Sequence, residues 1–488
     1  MVTEVGQINE LLLIDGCWVE SRDLARFEVL DPANGAVVGT VPDAGAADID
    51  AAIAAASKAL RPWRRLPARE RGRILLNCAA VVRDRLPDIA FTMTREQGKP
   101  LAEAKAEVEF AASFFEWFAG EGERAYGQMV PAQRPDHRVV VLRQPVGVSA
   151  AITPWNFPAA MMSRKLAPAL AAGCTSIIKP ASATPLTAAG IVRCMQDAGV
   201  PDGVVNLITS RHSHAVAKQL FDDARVRKVS FTGSTEVGKE LIRLSSAHVT
   251  RLSLELGGHS PYLVFADADL DLATEQIVVS KFRNSGQTCV CANRAYVQRS
   301  VYEELVERVA DRSRKLVVGS GLSQETDMGP LIDGGAVDKV EAHINDAVGR
   351  GARLVTGGER LTTNGTSAGN FFGATILADT DAEMLISREE TFGPALAMAP
   401  FDSEEDAVRL ANDTQYGLAA YVHTRDYGRL FRVAEELEYG IVGVDVGIIS
   451  AANAPFAGIK ESGYGVEGGS FGIDEYLATK YVLLGDVS

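Results

Sequence analysis

The chain has little of what marks special-purpose proteins. Only six of its 488 residues are cysteine: Cys17, Cys78, Cys174, Cys194, Cys289 and Cys291. Apart from the last two they are scattered, which excludes a disulfide framework, and no Cys-x-x-Cys spacing offers a zinc site. No metal is expected, and the first four cysteines read as inert, buried small hydrophobes. Positive charge is the scarcer sign, with 49 Lys and Arg against 63 Asp and Glu, a net charge of −14. That argues against a broad face for nucleic acid or an anionic membrane, while leaving a small cationic pocket open. Long apolar runs are missing as well. Leu11-Leu12-Leu13-Ile14 is too short for a signal-peptide core, and nothing approaches the ~18 apolar residues of a membrane span. The expected location is the cytoplasm. Short repeats and low-complexity tracts are also missing.

What remains is an ordinary globular composition, 47% hydrophobic and 23% charged, in a chain too long for one core. Asp48 to Leu60 reads as an Ala-rich amphipathic helix capped by Asp48. Ala68 to Leu86 is a second helix, and Leu101 to Ala119 a third, with Gly120 just past its end. The β-branched stretch His137 to Arg143 follows a Pro-containing turn and predicts an extended arm. From Gly147 strands and helices alternate. Strands are expected at Val148–Ile152, Thr175–Ile178, Val204–Ile208 and Val226–Phe231, and helices at Ala159–Ala172, Pro185–Ala198 and Thr235–Ser245. This alternation predicts an α/β fold with a parallel, doubly wound sheet. A second alternating region runs to about Asn412, and Gly440 to Val446 forms a late strand. Tyr476 to Leu484 is mostly apolar. It is expected either to pair at an edge with a partner or to complete a sheet of its own chain.

Two segments carry chemistry. Cys289 follows Gly286-Gln287-Thr288, small and polar neighbours that let a substrate approach a thiol. Glu255 lies in Leu254-Glu255-Leu256-Gly257-Gly258, where the glycine pair permits a tight backbone path. A nucleophile with a possible base points to covalent catalysis. Phe231-Thr232-Gly233-Ser234-Thr235-Glu236-Val237-Gly238 runs from a strand into a helix. Its glycine and helix N-terminus suit a pyrophosphate, although the spacing is not the Gly-x-Gly-x-x-Gly fingerprint. Lys179 ends another strand, within reach of a ribose or phosphate, or else in solvent.

The wording of these segments resembles the aldehyde dehydrogenase superfamily over nearly the whole chain, most closely its succinate-semialdehyde dehydrogenases. The matching stretches are Pro154-Trp155-Asn156-Phe157-Pro158, Lys179-Pro180-Ala181-Ser182, Phe231-Thr232-Gly233-Ser234, Leu254 to Gly258, Gly286 to Cys289, Glu389-Glu390-Thr391-Phe392-Gly393-Pro394 and Pro455-Phe456. The resemblance implies a Rossmann-like cofactor domain (1–126 and 145–256), an α/β catalytic domain (257–462) and a β-arm for oligomerisation (127–144 and 473–488). It implies a homodimer or homotetramer acting on a small-molecule aldehyde, with no nucleic-acid or membrane partner. By the same resemblance Cys289 is the nucleophile, Asn156 an oxyanion donor and Glu255 the base that activates water. Lys179, Ser182, Gly233, Ser234, Trp155, Glu390 and Phe392 would line the cofactor. Ser182 stands where NAD-preferring relatives often carry glutamate, which implies NADP, with NAD also possible. Arg164, Arg283 and Ser450 match positions that hold a distal carboxylate, implying succinate semialdehyde, with glutarate and 2-oxoglutarate semialdehyde or a broader aldehyde range as alternatives. Cys291 lies two residues from Cys289, and an extended backbone would point both thiols to one side, as a redox pair, unless Cys291 is a packed bystander. Three departures stand out: His259 after the glycine pair, the loop Thr209 to His214, and Asp445 in place of asparagine.

Overall fold

The computed structural model describes residues 7–362 and 369–487. Met1–Gly6 and Ser488, the outermost residues assigned above to the first domain and the arm, lie outside them. Val148–Ile152 and Thr175–Lys179 are buried at every position. Continuous burial without alternation is what a parallel sheet covered on both faces requires. These two strands sit at the centre of an eight-stranded sheet. Its order is Gly463–Tyr464, Arg251–Glu255, Val226–Thr232, Val148–Ile152, Thr175–Lys179, Val205–Leu207, Leu12–Ile14, Cys17–Val19. The five strands from Arg251–Glu255 to Val205–Leu207 run parallel. The chain first builds outward from Val148–Ile152 on one side and then on the other. The crevice at the carboxyl ends of Val148–Ile152 and Val226–Thr232 is therefore a topological switch point, the usual ligand position in such sheets.

A second sheet has seven strands in the order Arg353–Thr356, Thr375–Ala378, Ala395–Phe401, Ala292–Gln298, Ser260–Val264, Ala419–His423, Ile441–Val444. All of its pairings are parallel except the first. A third sheet is the arm. Arg138–Pro145 pairs antiparallel with Leu477–Leu484 on one side and Gln128–Val130 on the other. The C-terminal strand thus pairs within its own chain.

Three helical expectations need correction. Asp48 is not the N-cap of its helix. The helix Ala46–Arg65 is capped at Gly45, and Asp48 in the first turn reaches back to the Gly45 N–H at 3.0 Å. The stretch after Asp84 is helical again, at Leu86–Gln97. The third helix does not stop at Gly120 but spans Leu101–Arg124. Gly122 is a packing residue: a β-carbon there would stand 3.2 Å from the Ala171 carbonyl oxygen. With Phe114, Phe115 and Phe118 buried, tertiary packing outweighs the glycine stop signal. Among the described residues no helix is long and apolar enough to cross a membrane.

Candidate active site

The helix Leu270–Phe282 ends in a tight turn, Arg283–Gly286, in which Asn284 (φ 50°) and Ser285 (φ 56°) both take left-handed backbone. Such conformations cost free energy and persist only when the surroundings hold them. The Asn284 N–H donates to Glu103 at 2.9 Å, and Gln97 Nε2 donates to Asn284 Oδ1 at 2.9 Å. Ser285 Oγ donates to Gly329 O at 2.8 Å, and Gln287 Oε1 accepts the Ile332 N–H at 2.9 Å. The strained turn presents Cys289.

The two glycines after Glu255 have a steric task. A β-carbon on Gly258 would lie 2.2 Å from the Cys289 carbonyl oxygen, and one on Gly257 3.0 Å from Glu390 Oε2. The Gly258 N–H donates to Glu390 Oε1 at 3.0 Å. Across the strained loop, a β-carbon on Gly286 would lie 2.2 Å from Gly393 O. Glycine at these positions brings the Glu255, Cys289 and Glu390 segments into one small region.

Glu255 ends the strand Arg251–Glu255 at 3% exposure, and neither carboxylate oxygen has a hydrogen-bond partner. Burial pushes its pKa well above the usual carboxylate range, with the Glu467 charge adding to the effect and Lys165 and Arg164 opposing it. Cys289 is half-buried. Its thiol is pushed up to about 12, first by burial, then by the charge of Glu390, with Arg164 pulling the other way. Asn156 is buried. Its Nδ2 donates one hydrogen to Gln287 O at 3.0 Å, which leaves the second amide hydrogen free for another acceptor.

Cys289 opens into a cavity of about 660 Å³, where Arg164, Arg283, Ser450, Phe110 and Phe456 also contribute to the wall. The Arg164 guanidinium lies 4.3 Å from the Phe456 ring centroid, and that of Arg283 lies 5.3 Å from the Phe157 ring. Both Nε atoms are buried without a partner, and no carboxylate is within ion-pair distance of either arginine among the described residues. Glu103 also lines the cavity, but it is spent on the Asn284 N–H.

The cofactor candidates gather at the carboxyl edge of the first sheet. Lys179, Ile152, Phe231 and Leu254 fall in one register row, so the segments that follow them leave the sheet together. Lys179 is buried rather than solvated; it donates to Ser213 Oγ, and burial lowers its pKa to about 8. Ser182 is exposed nearby in sequence. Gly233 is pressed against the Phe231 ring, and Ser234 caps the helix Thr235–Ser245 through the Val237 N–H. Trp155 and Phe392 meet edge to face at 5.6 Å, Phe392 with φ 53°. Burial raises Glu390 to about 7. A buried lysine with no carboxylate bonded to it, a glycine turn at a helix start and a free carboxylate oxygen fit a phosphate-bearing dinucleotide.

Other expectations fail. Cys17 is exposed, because its strand lies at the sheet edge. The backbone at Cys289 and Val290 is a turn closed by Cys291 N–H to Thr288 O at 3.2 Å, so it is not extended. Cys291 is buried and does not line the cavity. Asp445 turns to His423 at 3.1 Å and is likewise no part of the cavity wall. His259 Nε2 donates to Ile386 O at 3.0 Å, a structural contact. Sequence reasoning missed Lys99 and Glu107. They form a buried ion pair in which Lys99 holds Asn156 O at 2.7 Å and Glu107 accepts the Ala159 N–H at 2.9 Å. The only signal was a glycine break, Gly98, between two helices.

Comparison with known proteins agrees with this architecture. The model of the "Aldehyde dehydrogenase family" matches residues 18–482. A succinate-semialdehyde dehydrogenase [NADP(+)] of Escherichia coli (strain K12) is 51% identical over 473 residues, covering 97% of each chain. A glutarate-semialdehyde dehydrogenase of Pseudomonas putida is 49% identical over 471 residues, covering 96% of this chain and 97% of that one. A crystal structure of succinate-semialdehyde dehydrogenase from Burkholderia pseudomallei superposes with a TM-score of 0.96 at 48% identity, covering 99% of both chains. The chain belongs to the aldehyde dehydrogenase family.

Proposed function

We propose that this enzyme oxidises an aldehyde bearing a terminal carboxylate, succinate semialdehyde first, to the corresponding acid, with NADP preferred and NAD also accepted. The observation that carries the reading is the pair Arg164 and Arg283, cations without a carboxylate partner on the wall of the cavity that holds Cys289. A substrate carboxylate supplies the missing anion through paired donors. Ser450 on the same wall adds a hydroxyl. Relatives named for succinate and glutarate semialdehydes support this substrate class. One methylene discriminates weakly, so glutarate semialdehyde is the second reading, with 2-oxoglutarate semialdehyde behind it.

Each protein group has a task in this reaction. Cys289 attacks the aldehyde carbon as thiolate and forms a thiohemiacetal. The free amide hydrogen of Asn156 and the Cys289 N–H stabilise the oxygen as it gains charge; each such donor is worth about 2.7–4 kcal/mol. A bound nicotinamide cofactor would supply the hydride acceptor. Glu390 would hold its ribose, and Phe392 and Trp155 would flank its ring. Glu255, unpartnered and reluctant to ionise, takes a proton from the water that hydrolyses the Cys289 thioester. Lys179 and Ser182 would hold the adenosine side, with no carboxylate at 182 to repel a 2′-phosphate, and Gly233 and Ser234 would leave room for the pyrophosphate. A relative named for NADP(+) supports that preference. Spectrophotometric production of reduced cofactor from succinate semialdehyde, with each cofactor in turn, tests the assignment.

The domain limits that the resemblance implies and a cytoplasmic location belong to the same reading. The arm exposes Met129, Leu142 and Leu484 on one face and Tyr481 and Leu483 on the other, apolar surface that suits a homodimer or homotetramer. Replacing Tyr481, Leu483 and Leu484 by serine should lower the mass found by light scattering; an unchanged mass would remove the arm from assembly.

A further inference from the structure

Behind the turn that presents Cys289 lies a side-chain cluster that aldehyde oxidation does not use. Lys281, in the last turn of the Leu270–Phe282 helix, is 0% exposed. Its Nζ lies 3.1 Å from Asn293 Oδ1 and 3.8 Å from Cys291 Sγ. Among the described residues no carboxylate is bonded to it. A buried ammonium without a counter-ion is costly, and losing the proton removes the cost. A neutral amine is a nucleophile. Cys291 Sγ is equally enclosed, 3.5 Å from Gly286 O and 3.7 Å from Asn293 Oδ1. The Thr288–Cys291 turn leaves Cys291 out of the cavity wall that Cys289 lines. Among the described residues, the Lys281 amine is the one nucleophilic side chain hydrogen-bonded to the Cys291 sulfur.

We propose that Lys281 and Cys291 form an amine–thiol modification site, in which oxidation by a hydroperoxide joins them through a sulfur–nitrogen bond. The hydroperoxide transfers one oxygen to the Cys291 sulfur. The thiol becomes a sulfenic acid, and the peroxide is reduced to an alcohol or to water. The lone pair of Lys281 Nζ then attacks the sulfur. The S–O bond breaks, and the departing hydroxide takes the proton lost by nitrogen and leaves as water. The chain gains no oxygen and loses two hydrogens. Two equivalents of an external thiol reverse it: the first displaces the amine, and the second releases the Cys291 thiol as a disulfide of the reagent forms. Asn293 Oδ1, accepting a hydrogen from Nζ, holds the amine beside the sulfur. The bond would tie the end of the helix to the segment that follows the nucleophile.

The test uses the full chain treated with hydrogen peroxide, both unmodified and as Cys289→Ala. Free thiols are then blocked, and the tryptic peptides are weighed. The expected product is the Lys281 peptide joined to the Cys291 peptide, lighter than their sum by two hydrogens. It should appear in both proteins, be split by dithiothreitol, and be missing from Lys281→Arg, whose guanidinium is no nucleophile and does not condense. A Cys289–Cys291 disulfide as the main product in the unmodified protein would overturn the proposal. So would a sulfenic or sulfinic Cys291 with Lys281 still free. A Cys291 left reduced under conditions that fully oxidise the exposed Cys17 would overturn it as well.

Discussion

Glu255 has two buried carboxylate oxygens without partners, and its function follows from what that burial does to its proton. Its raised pKa means that the base form appears only as pH climbs above the ordinary carboxylate range of ~4.3. Thioester hydrolysis should therefore rise with pH on a limb displaced upward from that range. Glu255→Gln should flatten the limb and slow hydrolysis by ~10²–10⁴-fold, leaving a pre-steady-state burst of reduced cofactor. Cys289→Ala should abolish oxidation altogether, and near-normal turnover in either variant would sink these roles. Ser182→Glu places a carboxylate against a 2′-phosphate, a repulsion of about 1–4 kcal/mol at contact. The kcat/KM ratio of NADP to NAD should fall by ~10-fold or more; an unaltered ratio would separate Ser182 from cofactor choice. The residues with these tasks were legible because each belongs to a distinctive short word in the chain. Lys99 and Glu107 were not, because a buried ion pair between a helix start and a neighbouring turn leaves no periodic or compositional trace.

At the scale of elements, the glycine pair after the Arg251–Glu255 strand decides whether the site assembles. Gly258→Ala would drive a β-carbon into the Cys289 carbonyl at 2.2 Å. The overpacking should cost about 1–3 kcal/mol of stability. Displacing the nucleophile by an ångström should cost on the order of 10²-fold in kcat. Thermal unfolding and steady-state kinetics read the two effects separately, and a variant with normal turnover would show that the close approach is dispensable. The sequence shows the two glycines but not their neighbour, since contact between segments is a property of the fold. The parallel strands were readable for a local reason: Val148–Ile152 is a short, mostly apolar run and Thr175–Lys179 is centred on Ile177 and Ile178, each bounded by turn residues. The end of the Leu101–Arg124 helix was misread for a non-local one. Gly120 looks like a stop, but the helix is clamped against the Pro158–Ala172 helix, and Gly122 lets the backbones approach. The turn at Cys289 was likewise invisible, because Asn284 and Ser285 adopt left-handed backbone under contacts from Glu103, Gln97 and Gly329.

At the scale of the whole molecule, the carboxyl edge of the first sheet leaves a crevice for the proposed cofactor, the second sheet follows the loop of Cys289, and the helix Leu101–Arg124 walls the proposed substrate cavity with Phe110. Arg164 comes from the helix after the first motif and Arg283 from the turn before the nucleophile. Their convergence on one cavity is a product of tertiary structure, whereas their separate presence could be read from the chain. The central claim is that these two cations recognise a substrate carboxylate. Its most direct measurement is KM for succinate semialdehyde and for butanal in the unmodified enzyme, Arg164→Ala and Arg283→Ala. Charge-assisted hydrogen bonds of about 1.5–3 kcal/mol each should make KM for succinate semialdehyde rise by ~10–10²-fold in each variant, while butanal changes little. Equal losses on both substrates, or an unmodified enzyme that prefers butanal, would contradict the account.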